Sequence, residues 1–178
     1  ADPLTSKVVI LSPSEREDAD VDYTVGYVGI ERGLVDYEGN CGNLSQAVGP
    51  YAVDEGLVPP TEPITEVRIF NTNTNKTMVA EVPVRDGASV SSGDCSIYGV
   101  PGTGARVVVN CRDAAGSKTG KLLPTGNVVD EVQLKSGARV EVSLVDAAVP
   151  AIFVRAADVG LTSCELPHDS ERDPRILA

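Results

Sequence analysis

The stretch EGNCGNLSQAVGPYAVDEGLV, residues 38–58, joins a turn rich in glycine and asparagine to an apolar segment with helical spacing. Because apolar residues recur there at i, i+3, i+4 and i+7, the pattern predicts a helix over about residues 42–57, with one face formed by Leu44, Ala47, Val48 and Tyr51. Further apolar residues widen that face, so we expect the helix to be buried on most sides. The Gly49-Pro50 pair is expected to kink it.

Composition limits the classes of function that the chain could have. Its 15 basic and 26 acidic residues give a net charge of −11, which disfavours non-specific binding to nucleic acid or to anionic membranes. With no Trp, two Phe and five Tyr, few aromatic side chains are available to stack on bases or sugars. No apolar run is long enough to span a membrane, and the first residues lack the regions of a signal peptide. We expect a cytoplasmic protein that binds neither nucleic acid nor membrane.

The cysteines and the histidine argue against a metal site. Cys41, Cys95, Cys111 and Cys164 include no C-x-x-C pair, and the lone histidine, His168, lies in a polar stretch. We therefore expect no metal site, and His168 is expected on the surface rather than in a Ser/His/Asp triad. The wide spacing of the cysteines favours reduced thiols over disulfides.

Strand-like runs surround the predicted helix. Residues 6–14 and 21–30 are rich in β-branched residues, and residues 64–84 predict a hairpin with an Asn/Thr-rich turn. A segment rich in glycine and serine, 86–104, indicates a domain boundary near 98–101. Beyond it the chain is β-rich and has no comparably clear helix. Strands and helices do not alternate, so a Rossmann fold is not expected.

One stretch of the second half resembles a phosphate-binding loop. In GSKTGKLL, residues 116–123, the P-loop pattern would require a glycine where Ala115 stands and a hydroxyl residue where Leu122 stands. We therefore reject a P-loop here. The nearby PGTG and PTGN segments are typical of ordinary turns.

Cys41 has the most informative setting of the four thiols. It lies in Gly39-Asn40-Cys41-Gly42-Asn43, immediately before the predicted helix. Free N–H groups and the positive end of the helix dipole attract carboxylates and lower the pKa of a thiol. From the residues alone, a reactive thiol and a small buried residue beneath the helix both remain open.

Several stretches together resemble the PrpF-type methylaconitate isomerase family, whose relatives include 4-oxalomesaconate tautomerases and methylitaconate isomerases. The resemblance runs in order along nearly the whole chain: DPLTSKVVILSPS, VDYEGNCGNLSQAVGPYAVDEGLV, VRIFNTNTNK, GVPGTGA, GKLLPTGNVVD and VSLVDAAVPAIFVRAADVGL.

The resemblance implies an α+β fold of the diaminopimelate epimerase type. Such a fold has two pseudo-symmetric halves, each a curved sheet or barrel around a central helix, with the active site between them. Residues 1–98 would form the latter part of the first half, and residues 99–178 the beginning of the second, β-rich half. Family members are roughly twice as long as these 178 residues, so we expect a fragment in which the fold is incomplete.

The resemblance also implies an activity and its residues. It implies a cofactor-independent isomerase that shifts or cis-trans isomerises the double bond of a small unsaturated di- or tricarboxylate, such as methylaconitate in the methylcitrate cycle of propionate catabolism. Lys7 and Cys41 match the two catalytic positions. The substrate-binding positions match Ser6, Asn40, Gly42 and Asn43. Lys7 is expected to act as a cationic acid or electrostatic clamp, and proton abstraction to involve Cys41 or a further group.

Two departures from the family pattern leave alternatives open. Where the family usually has Asn in DAANP, this chain has Val149, so the resemblance does not carry over a polar contact from the second half. Cys95, Cys111 and Cys164 are poor candidates for a second catalytic thiol. A non-catalytic carboxylate-binding module with the same fold is therefore the alternative hypothesis, and a structural role for Cys41 is a third. A homodimer is compatible with the sequence.

Overall fold

A computed structural model describes residues 5–111, 113–170 and 173. The chain divides into two compact units, residues 1–114 and residues 115–178. The first unit combines a mixed sheet with one long helix, and the second contains a small antiparallel sheet. The predicted α+β class is therefore confirmed.

The sheet of the first unit is built from seven strands among the described residues. In chain order these are β1 Lys7–Pro13, β2 Val21–Val28, β3 Val35–Asp36, β4 Ile64–Asn71, β5 Lys76–Arg85, β6 Ala88–Ser89 and β7 Val108–Asn110. The spatial order of the main path is β1-β2-β4-β5-β6, while β3 pairs with β2 and β7 with β5. All pairs are antiparallel except β2 with β4, which are parallel. The predicted strands at 6–14 and 21–30 and the hairpin at 64–84 are confirmed.

Buried side chains that alternate along the strands form the core. Over residues 21–25 of β2 and 64–71 of β4 every second residue is buried, which is the period of a sheet with one face on the core. The buried cluster includes Val21, Tyr23, Val25, Val67, Ile69, Ala80 and Val82. Helix α1, Gly42–Asp54, packs against this face, and its N-terminus therefore lies at one end of the core.

Helix α1 is buried on one face rather than on most sides. Its buried residues are Ser45, Val48, Gly49, Ala52 and Val53. Ala47 and Tyr51, which the spacing put on the buried face, are exposed. They line an open apolar groove beside Val9 and Leu11 of β1.

Ser45 takes a place on the buried face because its hydroxyl has a local partner. It donates a 2.8 Å hydrogen bond to the Cys41 carbonyl oxygen, one helical turn back. The helix also runs through Pro50 and ends at Asp54, three residues before the predicted end at Leu57.

Close packing of α1 on the sheet depends on Gly49. A Cβ atom there would lie 2.8 Å from the Ala80 Cβ and 2.8 Å from the Val82 Cγ2 of β5. These separations are well inside normal carbon contact distance, so only glycine lets the helix backbone approach β5 this closely.

The second unit is β-rich, as the sequence predicted. Strands β8 Asp130–Gln133, β9 Arg139–Ala147 and β10 Val149–Val154 form an antiparallel sheet in the order β10-β9-β8. A 3-10 helix, Ala156–Val159, and a short helix α2, Pro167–Ser170, follow.

The division between the compact units differs from the boundary predicted near 98–101. It falls after Ala114, because β7 pairs with β5 and Cys95 forms a β-bridge with Gly104, which keep these residues in the first unit. The assignment of residues 99–178 to a second pseudo-symmetric half stays a prediction. Within the described residues, no helix is long and apolar enough to cross a membrane.

Candidate functional site

Lys7 and Cys41 meet at the N-terminus of α1. Lys7 is the first residue of β1, and Cys41 is the N-cap residue of the helix. The Lys7 Nζ donates a hydrogen bond of 3.4 Å to the Cys41 Sγ. The Cys41 residue is only 5% exposed, while Lys7 is half-buried at the edge of the site. The two residues that the resemblance predicts as catalytic are therefore in direct contact.

The surroundings of Cys41 favour its thiolate form. Burial acts to raise the pKa of the thiol and is the largest single effect. The backbone N–H of Leu44, the Lys7 ammonium and the Tyr27 hydroxyl act in the other direction, and together they lower the pKa of Cys41 below its ordinary value. There is no acidic residue in the first helical turn to oppose them. The site therefore favours a negative charge on sulfur.

Asn40 holds the backbone that carries the thiol. Its Oδ1 accepts a 2.8 Å hydrogen bond from the Cys41 N–H and a 3.0 Å bond from the Asn71 Nδ2. Asn71, at the end of β4, is fully buried, and its own Oδ1 accepts bonds from the backbone and side chain of Thr74. The turn between β4 and β5 is thereby connected to the Cys41 loop. Sequence reasoning assigned Asn40 to substrate binding and did not find Asn71.

Two tyrosines of β2 lie beneath the same loop. Tyr23 is fully buried and its hydroxyl donates to the Cys41 carbonyl at 3.3 Å; burial raises its pKa to about 12. The Tyr27 hydroxyl donates to the Asn40 carbonyl at 2.7 Å, and the Lys7 Nζ lies 5.5 Å from the centroid of the Tyr27 ring. Sequence reasoning missed both side chains. They follow Val21 and Val25 at intervals of two residues, a spacing that places all four side chains on one face of β2.

The remaining predicted site residues lie beside this pair. Gly42 and Asn43 are exposed in the first turn of α1, and a Cβ at Gly42 would meet no atom within 4 Å. The space beside Gly42 at the start of the helix is therefore open. Ser6 is half-buried, and its carbonyl accepts a 2.9 Å hydrogen bond from the Val28 N–H.

In the ranges that the structure describes, the other three thiols have no comparable setting. All four cysteines are free; Cys95 is partly buried, while Cys111 and Cys164 are exposed. His168 is exposed and lies 3.1 Å from the carboxylate of Asp169. Among the residues that the structure describes, no group of three or more His, Cys, Asp and Glu side chains could hold a metal ion.

The loop that resembled a P-loop binds a carboxylate of the chain itself. Asp146 of β9 is fully buried, and its side chain accepts hydrogen bonds from the N–H groups of Lys118 and Thr119 and from the hydroxyls of Ser117 and Thr119. Burial opposes ionisation, but these donors outweigh it and hold the pKa of Asp146 far below its usual range. The anion-binding geometry of residues 117–119 is thus occupied internally. Val149, three residues after Asp146, is exposed in β10.

Comparison with known proteins identifies the family. The model of the PrpF protein family matches residues 1–178, the whole chain. The chain belongs to the PrpF family.

Curated relatives of this PrpF chain are isomerases and tautomerases. It is 55% identical over 178 residues to the 3-methylitaconate isomerase of Eubacterium barkeri, covering 100% of this chain and 47% of that protein. It is 45% identical over 176 residues to the 4-oxalomesaconate tautomerase of Pseudomonas putida, covering 99% of this chain and 47% of that protein. The PrpF chain therefore spans about half the length of the curated relatives that it matches.

Solved structures agree on the fold. A crystal structure of a methylitaconate-delta-isomerase matches 99% of this chain and 45% of its own length, with a TM-score of 0.79 and 52% identity. A probable proline racemase from Agrobacterium radiobacter K84 matches 88% of this chain and 36% of its own, with a TM-score of 0.51 and 18% identity, a likeness of fold alone. The predicted diaminopimelate epimerase-like fold of this PrpF chain is confirmed.

Proposed function

We propose that the protein is a cofactor-independent isomerase that shifts, or cis-trans isomerises, the double bond of a small unsaturated di- or tricarboxylate by proton transfer. The contact between the Lys7 ammonium and the Cys41 sulfur, 3.4 Å apart at the start of α1, is the observation that carries this proposal. It combines a cation, a thiol with a lowered pKa and open N–H groups, which is what an allylic proton transfer next to a carboxylate requires.

The reaction needs one proton to leave a carbon and to return to the same carbon or a neighbouring one. In this proposal the Cys41 thiolate removes a proton from a carbon that is conjugated with a carboxylate. The electron pair of the broken C–H bond moves into the double bond and the carboxylate, where negative charge develops. Reprotonation of the same or the neighbouring carbon by the Cys41 thiol completes the shift and regenerates the thiolate. No atom is gained or lost overall, and no cofactor enters the balance.

Lys7 is proposed to remain cationic and to hold the substrate carboxylate as charge develops on it. A neutral Lys7 base would be opposed by both the nearby thiolate and the substrate carboxylate, since each stabilises the ammonium form. The first-turn amides of Gly42 and Asn43 are proposed to donate to the same carboxylate, because both residues are exposed at the positive end of α1. Ser6 and Asn40 are proposed to complete the substrate-binding loop.

The substrate class follows from this arrangement and from the names of the relatives. 3-Methylitaconate and 4-oxalomesaconate are both small unsaturated polycarboxylates. We propose a substrate of the same class, resembling 2-methylaconitate.

The first test uses the native protein with trans-aconitate in heavy water. The vinyl and methylene proton signals are followed by NMR with wild-type protein, Cys41→Ser, Lys7→Ala and, as matched control, Cys95→Ser. We expect exchange in the wild type and in Cys95→Ser, a loss of about 10²–10⁴-fold in Cys41→Ser, and a similar loss in Lys7→Ala.

The outcomes separate the alternatives. Full exchange by Lys7→Ala would overturn the assignment of the site, and exchange that persists in Cys41→Ser but not in Lys7→Ala would remove the thiol from the central role. Saturable binding of methylaconitate, methylitaconate and oxalomesaconate without exchange of any of them would instead support the non-catalytic carboxylate-binding module.

We further propose a cytoplasmic location, no nucleic-acid partner and a homodimer. Light scattering on the native protein after size-exclusion chromatography tests the dimer, since a mass equal to one chain would exclude it.

A further inference from the structure

Tyr27 contacts Lys7 and the loop that carries Cys41 through different parts of its side chain. It lies on β2 directly opposite Lys7 in the antiparallel register of β1 and β2. Directly opposed residues of an antiparallel pair have their Cβ atoms about 5 Å apart, so the register itself places the two side chains together. The same side chain reaches the loop before α1, where its hydroxyl bonds to the Asn40 carbonyl.

The ring of Tyr27 supports the cation. The Lys7 Nζ lies 5.5 Å from the ring centroid, within the range of a cation–π interaction. This contact and the 3.4 Å bond to the Cys41 Sγ act on the same ammonium group. Lys7 is therefore held between an aromatic face and a sulfur atom.

The hydroxyl of Tyr27 anchors the backbone that carries the thiol. It donates to the carbonyl of Asn40, the residue immediately before Cys41, at 2.7 Å, and its proximity acts to lower the pKa of the Cys41 thiol. Burial is the largest effect that raises the pKa of Tyr27, and the neighbouring Cys41 raises it further. The phenol therefore ionises less readily than a free tyrosine, so its hydrogen remains available to the Asn40 carbonyl.

Few other ionisable groups act on Cys41. Lys7 faces it from β1, Tyr23 and Tyr27 face it from β2, and Asp36 of β3 acts on Tyr27. The first turn of α1 contributes no acidic residue. Among these groups, Tyr27 has the only neutral side chain that interacts with both Lys7 and Cys41 in the described part of the chain.

We propose that Tyr27 is a positioning residue of the site: its ring holds the Lys7 ammonium, while its hydroxyl fixes the loop at Asn40 and so keeps the Cys41 sulfur beside that ammonium. The purpose of this role rests on the proposed function. Its test does not, because the test needs no substrate. Tyr27 need not touch the substrate, since it acts through Lys7 and Cys41.

The test measures the ionisation of Cys41 without any substrate. The thiolate absorbance of the native protein is recorded against pH as the difference from its Cys41→Ser counterpart, which removes the signals of the other thiols. Tyr27→Phe keeps the ring and loses the hydroxyl, and Tyr51→Phe, an exposed helix position, is the matched control. We expect the thiol pKa to rise by about one unit in Tyr27→Phe and to stay unchanged in Tyr51→Phe.

A thiol pKa in Tyr27→Phe equal to that of the wild type would overturn the proposal. If Tyr27→Phe does not fold, wild-type protein labelled with ¹³C at the tyrosine hydroxyl carbon decides the question by NMR. The Tyr27 signal is expected to shift through the pH range in which Cys41 ionises, and not to shift over that range in Cys41→Ser. A Tyr27 signal whose chemical shift does not change as Cys41 ionises would also overturn the proposal.

Activity gives an independent readout. If the thiolate is the base, the acid limb of the pH–rate profile should move about one unit higher in Tyr27→Phe, because more alkaline solution is needed for the same thiolate fraction. A raised thiol pKa in a protein that exchanges no protons with any unsaturated acid would support the role of Tyr27 and refute the proposed isomerase. A wild-type thiol pKa in an active Tyr27→Phe variant would refute the role of Tyr27 and support the proposed isomerase.

Discussion

The Lys7 Nζ lies 3.4 Å from the Cys41 Sγ, although the two residues are 34 positions apart in the sequence. Strand β1 and the N-terminus of helix α1 meet at this contact, which joins the edge of the sheet to the buried helix. A cation this close to a buried thiol, together with first-turn amides, accounts for the preference of the site for negative charge.

Removal of the Lys7 charge should make Cys41 less acidic. In Lys7→Gln we expect the thiol pKa to rise by roughly one to three units, the range typical of losing an opposite charge at this distance. The thiolate absorbance, titrated against a Cys41→Ser reference, measures the change. Lys76→Gln is the control, since Lys76 pairs with Asp113 at 3.2 Å. An unchanged thiol pKa in Lys7→Gln would mean that the ammonium does not stabilise the thiolate.

Asn71 should contribute to stability through buried hydrogen bonds. Asn71→Ala removes the acceptor of the Thr74 N–H and hydroxyl and the donor to Asn40. Because buried donors are left unsatisfied, we expect the free energy of unfolding to fall by about 2–4 kcal/mol in urea titrations. Gln46→Ala, at an exposed position of α1, should change it by less than about 0.5 kcal/mol. Equal stability of the two variants would contradict the structural role of Asn71.

Gly49→Ala should destabilise the first unit, although alanine is the better helix former. The gain in helix propensity is about 1 kcal/mol, whereas the new methyl group would collide with Ala80 and Val82 at 2.8 Å, an overpacking cost of roughly 1–3 kcal/mol. We expect a net loss of up to about 2 kcal/mol in chemical unfolding. Gly33→Ala, where a Cβ meets no atom within 4 Å, is the control. A stabilised Gly49→Ala would show that β5 can move away from the helix at little cost.

Asp146→Asn should destabilise the second unit most at neutral pH. The carboxylate accepts four hydrogen bonds, and its folded pKa is lowered, so its contribution is fully present above the unfolded pKa of about 4 and is lost as pH falls below it. At pH 7 we expect the unfolding midpoint to fall by on the order of 5–10 °C, with a smaller difference near pH 3. Glu131→Gln, which alters an exposed ion pair with Arg139, should have little effect at either pH. A difference that does not depend on pH would exclude the charge as the cause.

The sequence was sufficient to predict the helices and strands that have a strong local pattern. The β4–β5 hairpin, the strands β1 and β2 and the helix α1 follow from alternation, turn residues and helical spacing. The buried face of α1 could not be predicted in the same way. Hydrophobicity alone does not show that the Ser45 hydroxyl has a backbone carbonyl as its hydrogen-bond partner or that Gly49 is required for close packing.

The candidate site was predictable in part. Cys41 could be singled out from its glycine-rich setting before a helix, and Lys7 from family resemblance. Asn71 and Tyr27 could not, because their importance arises from contacts across 31 and 13 positions that no local pattern encodes. The loop at 116–123 shows a different limit: the sequence was enough to reject a phosphate-binding loop, but it did not show that the same N–H groups and hydroxyls bind the Asp146 carboxylate of β9.

The pairing of Lys7 with Tyr27 makes the site sensitive to insertions within strand β1. Because strand residues alternate between faces, one residue inserted within β1 after Lys7 would turn the lysine away from Cys41 while the rest of the ladder stayed paired. Residues added to the connection at 14–20 could be accommodated outside the ladder. Single-residue insertions should therefore abolish activity before Pro13 and be tolerated after it. A library of such insertions would locate the boundary between the strand and the connection from activity alone.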